Sequence, residues 1–374
     1  MADALHPSAE NGLRLAVAGG GTGGHLFPGI AVAQAFMKRD PANRVLFINA
    51  GRPLETQVLA RLGWPHAVIP IEGIKGRGLW RQTVAAFRIP RAVWSSAAAL
   101  RRFKADAVLG VGGYSAGPVV TAAWVMGLPT ALHEQNHLPG VTNRMVSRVV
   151  DRIYVSFEAS CEYFKQAKVK VSGNPVREEI LRLGRGPAAP PSADRFSVLV
   201  IGGSQGAQAV NRAVVEALPP LRNTSGLQFI HQTGVQDERW VQQAYAHAGI
   251  AAEVKAFFND MASRYQQADL VVCRAGATTV AELTAVGRAA VFVPFPFAAD
   301  DHQTRNAQAL VAAGAAWMIP QAELSGARLA ETIAACVEDR PRLMAMAQKA
   351  RDLGRPGAAD TIVDDLYDLM GRIH

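Results

Sequence analysis

The sequence predicts an α/β protein made of two Rossmann-like domains, with parallel sheets facing each other across a cleft. Two observations predict it. Short β-rich runs alternate with helical stretches along the chain, the pattern of strands joined by crossover helices. That pattern also starts twice. An apolar run enters a glycine-rich turn and then a helix at "LRLAVAGGGTGGH" (13–25), and again at "FSVLVIGGSQGAQAVN" (196–211). Such turns lie at the carboxyl ends of parallel strands, where open α/β sheets bind ligands. A length of 374 residues agrees with two domains.

In order, strands are expected at 13–18, 44–49, 107–111, 130–134 and 152–156, then at the start of 196–218, which reads as strand, Gly-rich turn and helix, and at 227–231, 269–273 and 289–294. A Pro-, Gly- and Ala-rich stretch, "GRGPAAPPSADR" (184–195), reads as a linker before the second series. The longest apolar run, "AGPVVTAAWVMGLPTAL" (116–132), is broken by Pro118, Thr121, Gly127 and Pro129, and reads as a buried helix followed by a strand. The first residues, "MADALHPSAENG", lack the apolar core of a signal peptide. Three scattered cysteines, Cys161, Cys273 and Cys336, argue against a disulfide framework and suit a reducing compartment.

The net charge of +8 is unevenly spread. Residues 73–105 hold no acid and eight cations: Lys75, Arg77, Arg81, Arg88, Arg91, Arg101, Arg102 and Lys104. Leu79, Trp80, Phe87, Ile89 and Trp94 are interleaved with them. One reading is a solvated basic helix with an apolar core face. Another is a surface for anionic lipid, with cations at the headgroups and aromatic rings at the interface. No nucleic-acid motif accompanies the patch, and nucleic acid is not expected as a partner.

The first turn, Gly19-x-Gly21-x-x-Gly24, formally matches the dinucleotide fingerprint. That fingerprint also expects a carboxylate at the end of the second strand, where this chain has Asn49. What survives is simpler: backbone N–H groups at a helix start bind phosphate oxygens. His25 ends this turn at a helix N-terminus, where the dipole disfavours imidazolium, so the neutral ring could accept a proton from an attacking hydroxyl. The turn Gly202–Gly206 repeats the arrangement with the Ser204 hydroxyl added. A third turn follows "DLVVC" and opens a helix at Ala277, Thr278, Thr279, Val280 and Ala281, with Glu282 placed to accept hydrogen bonds from paired hydroxyls. In "PFPFAADDHQTRNA" (294–307), Gln303 can both donate to and accept from sugar hydroxyls. Asp300, Asp301 and His302 are adjacent and diverge, a poor metal set. No metal and no cofactor is expected. No Ser or Cys nucleophile is evident, which favours single displacement.

Taken together, "GGTGGHLFPG" (20–29), "GVGGYSAGP" (110–118), "HEQNHLPGVTNR" (133–144), "GNPVR" (173–177), "GGSQGAQAVN" (202–211), "CRAGATTVAEL" (273–283) and "HQTRNA" (302–307) resemble the MurG family. These are the undecaprenyldiphospho-muramoylpentapeptide N-acetylglucosaminyltransferases of glycosyltransferase family 28. The matches come in order over nearly the whole chain. The resemblance implies a GT-B fold, with an acceptor and membrane-association domain at 1–172, a UDP-GlcNAc domain at 173–355, and a final helix (356–374) returning to the first domain. It implies inverting transfer of GlcNAc from UDP-GlcNAc to the 4-hydroxyl of the muramoyl sugar of lipid I, giving lipid II for peptidoglycan. It also implies a peripheral enzyme on the cytoplasmic face of the inner membrane, with cell-wall synthesis proteins as partners.

By the same resemblance, His25 is the candidate base, with Tyr114 and Glu134 as supporting polar groups in the acceptor site. Thr22, Gly23, Gly24 and Asn136 approach the donor across the cleft, and Arg177 lies near it. Ser204 contacts the donor, the Phe258 backbone meets the uracil, 277–281 cradle the diphosphate, Glu282 takes the ribose and Gln303 the sugar. The 19–24 turn is expected mainly on the acceptor diphosphate. Departures are small: Ser115-Ala116 within "GGYSAGP", Phe258 where Ile is common, and His302 where some members have Gln. Competing readings are another lipid-acceptor transferase of the same fold, such as a diacylglycerol sugar transferase, a UDP-sugar epimerase, and a non-catalytic membrane-binding protein. "HEQN…TNR" favours the muramoyl-lipid enzyme, and an epimerase would carry more carboxylates in its cleft.

Overall fold

A computed structural model describes residues 12–71, 79–184, 194–202, 206–298 and 301–371, without the side chains of 79–88. The chain divides into two compact units, Met1–Arg177 with Gly357–His374, and Glu178–Pro356. The stretch 173–177 therefore lies in the first unit.

The first unit runs β1 (Arg14–Ala18), α1 (Gly23–Arg39), β2 (Arg44–Asn49), α2 (Pro53–Arg61), β3 (His66–Val68), α3 (Leu79–Phe103), β4 (Ala107–Gly110), α4 (Ala116–Val125), β5 (Thr130–Glu134), α5 (Val141–Val146), β6 (Arg152–Val155) and β7 (Val169–Val171). Its sheet is parallel, in the order β3-β2-β1-β4-β5-β6-β7. Strand β1 shows why its sequence is apolar throughout. Leu15 and Val17 pack on one face with Leu26, Ile30 and Phe36 of α1. Ala16 and Ala18 pack on the other with Leu100, Val119 and Val120. A parallel strand covered on both faces reads as an unbroken hydrophobic run.

The second unit runs α6 (Glu178–Gly184), β8 (Phe196–Ile201), α7 (Gln208–Leu221), β9 (Leu227–Gln232), α8 (Glu238–Ala248), β10 (Ala251–Lys255), α9 (Met261–Gln267), β11 (Leu270–Cys273), α10 (Ala277–Val286), β12 (Ala289–Phe292), α11 (His302–Ala312), β13 (Trp317–Met318), α12 (Gly326–Glu338) and α13 (Arg340–Asp352). Its parallel sheet has the order β10-β9-β8-β11-β12-β13. Val198 and Val200 of β8 pack with Val210, Val214 and Leu218 of α7 and Leu329 and Ile333 of α12.

The last helix, α14 (Ala358–Gly371), belongs to the first unit and packs on α1. Ile362, Val363, Leu366 and Met370 recur at three- and four-residue spacing and are buried with the β1 and α1 core. Its one buried acid, Asp365, accepts from Arg152 Nε at 2.9 Å, from the Tyr154 hydroxyl at 2.9 Å and from Lys170.

Every expected strand is present, with ends shifted by up to two residues. Four further strands, β3, β7, β10 and β13, were not expected. All lie toward or at sheet edges, and they are too short or too polar to carry a pattern, as "AAEVK" of β10 illustrates. The 116–132 run is corrected in one respect. It is a helix and then a strand, but Trp124 and Val125 at the end of α4 are exposed, 51% and 69%. Most of the linker-like stretch lies outside the described residues.

Candidate functional site

Each unit carries its own set of loops at the carboxyl ends of its strands. In the first unit, β1 has β2 on one side and β4 on the other, so the chain reverses its winding between β1 and β4. Ligands bind at such a switch point. The loop after β1 holds Gly19–Thr22, and the loop after β4 holds Val111–Ser115.

The two loops interlock through their backbones. Gly19 N–H donates to the Ile48 carbonyl at 3.1 Å, and Gly20 N–H to the Gly112 carbonyl at 3.3 Å. Gly21 N–H donates to the Glu55 carboxylate. These three N–H groups are therefore engaged within the protein, and any anion-binding capacity of the loop is confined to the helix start from Thr22. The 19–24 expectation narrows accordingly.

His25 is the third residue of α1 and half-buried. Its Nδ1 lies 3.3 Å from the Thr22 hydroxyl. Its other edge faces Gly112, where a Cβ would come within 2.7 Å of Cδ2 and 3.0 Å of Nε2. Gly112 also has φ +88°, so glycine there serves both the backbone and the ring.

Glu134, at the end of β5, is buried, and its carboxylate is fully engaged. Oε1 accepts from Asn136 N–H at 2.9 Å and its side-chain amide at 3.4 Å, and Oε2 from Asn143 at 2.8 Å and Gly140 N–H at 3.1 Å. Burial raises this carboxyl above its ordinary value despite those hydrogen bonds. The side chain organises the 134–143 loop and thereby places Asn136. Tyr114 is exposed on the β4 loop. The Arg177 guanidinium stacks on Phe27 of α1, 4.1 Å from the ring centre.

Beneath these loops, His133 is fully buried. Its Nε2 lies 3.2 Å from the Gly173 carbonyl and its Nδ1 3.1 Å from the Gln135 amide, which also donates to the Val111 carbonyl at 2.8 Å. Burial pushes this imidazole down to about 4, helped by the nearby His25 and opposed by the Gly173 hydrogen bond. The neutral ring ties the "HEQN", "GVGG" and "GNPVR" segments together.

In the second unit the winding reverses between β8 and β11. Ser204, Gly203, Gln205 and Asp300 lie outside the described residues. Helix α10 begins at Ala277 behind Gly276, whose extended backbone ends the preceding turn. Ala277, Thr278 and Val280 are buried at its start, and Thr279 and Ala281 are half-exposed. Glu282 is the sixth residue of α10, and a helix dipole weakens beyond the first turn. The buried Tyr265 hydroxyl instead donates to Glu282 Oε2 at 2.9 Å.

Phe258 is buried, with Arg264 over its ring at 4.5 Å and Lys255 at 5.6 Å. Its N–H donates to Gln232 Oε1 at 2.9 Å, so a base contact expected at this backbone falls to the carbonyl. Gln303 Oε1 accepts from Phe295 N–H at 3.0 Å, which holds the loop after β12 and leaves the amide donors of Gln303 outside that contact. His302 opens α11 and is half-exposed. Among the described residues, no group of three or more His, Cys, Asp or Glu side chains could hold a metal ion.

Residues 15–155 match the glycosyltransferase family 28 N-terminal domain, and residues 197–362 its C-terminal domain. The chain is 47% identical over 359 residues to the UDP-N-acetylglucosamine--N-acetylmuramyl-(pentapeptide) pyrophosphoryl-undecaprenol N-acetylglucosamine transferase of Syntrophus aciditrophicus, covering 96% of this chain and 99% of that one. The chain belongs to glycosyltransferase family 28. A like-named relative from Myxococcus xanthus is 46% identical over 96% of this chain and 93% of its own. Among solved structures, Acinetobacter baumannii MurG superposes with a TM-score of 0.75 at 34% identity, covering 95% and 99% of the two chains. UDP-GlcNAc 2-epimerase from Neisseria meningitidis, bound to UDP-GlcNAc, reaches 0.66 at 14% identity over 95% and 99%, a likeness of fold. The two-unit α/β architecture expected from the sequence, GT-B in type, is the one found.

Three groups of this family 28 chain escaped sequence reasoning. Glu55 holds Gly21 from 34 positions away. Asn211, inside a recognised motif, donates to the Thr233 carbonyl at 2.9 Å and to Asp237 at 2.8 Å, bracing the loop after β9. Asn174, within "GNPVR", is buried with neither amide atom partnered. Only the last two lie inside quoted motifs, which was the available signal.

His231 of the second unit is buried against Tyr245 and Asn211, and burial lowers it to about 3. For both His133 and His231 the folded value lies below the unfolded 6.5, so the unfolded chain takes up the proton first as pH falls. Stability is complete above 6.5 and is lost toward pH 4 for His133 and pH 3 for His231, on the order of 3 kcal/mol or more each. Thermal unfolding followed from pH 7.5 to about 4 should show falling midpoints in both units. His133→Gln should flatten the profile of the first unit only.

Proposed function

We propose that the protein transfers GlcNAc from UDP-GlcNAc to the 4-hydroxyl of the MurNAc-pentapeptide on pyrophosphoryl-undecaprenol, forming lipid II with inversion at the anomeric carbon. The observation that carries this reading is identity approaching one half, along almost the whole chain, to transferases of that name. The first unit is assigned the acceptor and the second the donor.

His25 acts as the base. With its proton on Nδ1 toward the Thr22 hydroxyl, Nε2 keeps the lone pair that takes the proton of the acceptor hydroxyl. That oxygen bonds to C1 of GlcNAc from the face opposite the diphosphate. The C1–O bond to UDP breaks, UDP leaves with the electron pair, and an α donor gives a β linkage. The N-terminus of α10, at Ala277–Ala281, steadies the charge gathering on UDP. Glu282 receives the ribose hydroxyls, the Phe258 carbonyl reads the uracil, and Gln303 donates to the sugar. Ser204 contributes a further donor contact. Thr22, Gly23 and Gly24, with Asn136, Arg177 and Tyr114, surround the reacting groups, and Glu134 acts by positioning.

The test is the stereochemistry of the product. Proton NMR of the product from UDP-GlcNAc and a lipid I analogue should show the wide diaxial H1–H2 coupling of a β-GlcNAc. An α product, or turnover of UDP-GlcNAc to its epimer without acceptor, would refute the reading.

The enzyme is further proposed to sit peripherally on the cytoplasmic face of the inner membrane. Among the described residues, no helix is long and apolar enough to cross a membrane. Lys75 and Arg77 and the side chains of Trp80, Arg81, Phe87 and Arg88 lie outside the described residues. In the remainder of the 73–105 window, Trp94 is 76% exposed and Ile89 is exposed, beside Arg91, Arg101, Arg102 and Lys104. Helix α4, with its exposed Trp124 and Val125, packs against α3, and α5 adds Val141 and Met145. Basic residues beside exposed aromatics suit anionic headgroups. Trp94→Ser with Trp124→Ser should lower binding to phosphatidylglycerol vesicles about tenfold, as read by co-sedimentation. Unchanged binding would move the membrane face elsewhere.

A further inference from the structure

The carboxylate missing at Asn49 stands six residues later and has a different task. Asn49 Oδ1 accepts from Gly51 N–H at 2.9 Å and shapes the turn after β2. Glu55, on α2, is 1% exposed, and both of its carboxylate oxygens accept backbone N–H groups. One takes Gly21 N–H, and the other takes Arg52 N–H at 2.8 Å. The Arg52 guanidinium completes the clamp by donating to the Gly21 carbonyl at 3.1 Å.

Gly21 is thus held at both of its peptide units. A trans peptide is planar, with its C=O and N–H opposed. Turning the Gly21 carbonyl toward Arg52 turns the Thr22 N–H the other way, at the start of α1. Gly20 fits the same account. Its φ is +145°, and a Cβ there would run into the Glu55 carboxylate.

We propose that Glu55, clamped with Arg52, is a positioning residue for the transfer reaction: its carboxylate lies against Gly20 and Gly21 of the glycine loop, where a ligand phosphate would otherwise lie, and fixes the peptide planes that present Thr22–Gly24 and His25. The inference rests on the transferase reading above. It also explains how a formal dinucleotide fingerprint excludes a dinucleotide. A pyrophosphate placed over Gly19–Gly21 finds the N–H groups of all three residues already engaged, and the Glu55 carboxylate offsets the attraction of the Arg52 guanidinium beside Gly21. An anionic acceptor is admitted at the helix start alone.

The test uses the full chain with Glu55→Ala and Glu55→Gln, assayed with UDP-GlcNAc and a lipid I analogue. In both variants kcat should fall about 100-fold through misplacement of the loop, with KM for UDP-GlcNAc unchanged. Added formate should restore part of the kcat of Glu55→Ala, because a small free carboxylate can take the vacated place. Hydrogen exchange supplies a readout independent of activity: segment 13–25 should exchange faster in both variants, with the rest of the first-unit core unchanged. Normal kcat in Glu55→Ala would overturn the proposal. So would a loss that formate leaves untouched and that comes with faster exchange across the whole first unit, since Glu55 would then serve folding alone. An inactive wild type would refute the transferase reading, while the exchange of segment 13–25 would still test the clamp.

Discussion

Replacing His25 by Ala should lower kcat by about 10²–10⁴, the range expected for loss of a general base, while KM for UDP-GlcNAc stays near its wild-type value. The split follows from placement. His25 sits on α1 of the first unit, and the donor-assigned residues Phe258, Glu282 and Gln303 sit on the second. Removing the ring takes away a proton acceptor and leaves the donor contacts in place. His25→Gln, which fills much of the same volume without an equivalent base, should be as slow as His25→Ala. Gly112→Ala offers a complementary check, because its Cβ would meet the imidazole edge and displace it. That variant should lower kcat with the histidine still present. A His25→Ala enzyme with near-normal kcat would remove His25 as the base.

The largest stability effect is expected at Asp365. This carboxylate is 4% exposed and binds Arg152, Lys170 and Tyr154, which joins α14 to β6 and β7. Asp365→Ala leaves the mostly buried Arg152 and the buried Tyr154 hydroxyl without that partner. Breaking a buried ion pair from one side costs about 3–5 kcal/mol. Calorimetry should show the first unit unfolding at a clearly lower temperature, with the second unit unchanged. Burial acts to raise the Asp365 carboxyl, but the hydrogen bonds from Lys170 and Tyr154 and the charges of Arg152 and Lys170 outweigh it, so it lies below its ordinary value. An acid held below its unfolded value stabilises the fold above that value, and the contribution is lost as pH falls through the folded one. Asp365→Ala should therefore remove a part of the acid sensitivity of the first unit. An unmoved transition would mean that the apolar face of α14, led by Ile362 and Leu366, holds it unaided.

The fold was legible because its signals are local. Strands such as "LRLAVA" and "FSVLVI" are buried on both faces and show it as unbroken apolar runs. The glycine turns stand where the chain leaves those strands. The short edge strands were not legible, since two to five residues with partly exposed faces carry no period. Site residues divided in the same way. His25, Glu134 and Glu282 could be named from their motifs, but their surroundings could not. Glu282 is anchored by Tyr265, 17 positions away, and Gly21 by Glu55, 34 positions away, and no local pattern encodes such contacts. The bare glycine loop invited a phosphate along its whole length, while the fold had already placed a carboxylate on its first half. Exposure misled in the opposite sense at Trp124 and Val125, because apolar residues on a surface helix read as core until the packing partners are known.

The most direct test of the account is transfer of labelled GlcNAc from UDP-GlcNAc to a lipid I analogue by the purified protein. Label should appear in the lipid product, dependent on both substrates and nearly abolished in His25→Ala. Label appearing only as free sugar or as an epimerised nucleotide sugar, or equal transfer by the His25→Ala enzyme, would contradict it.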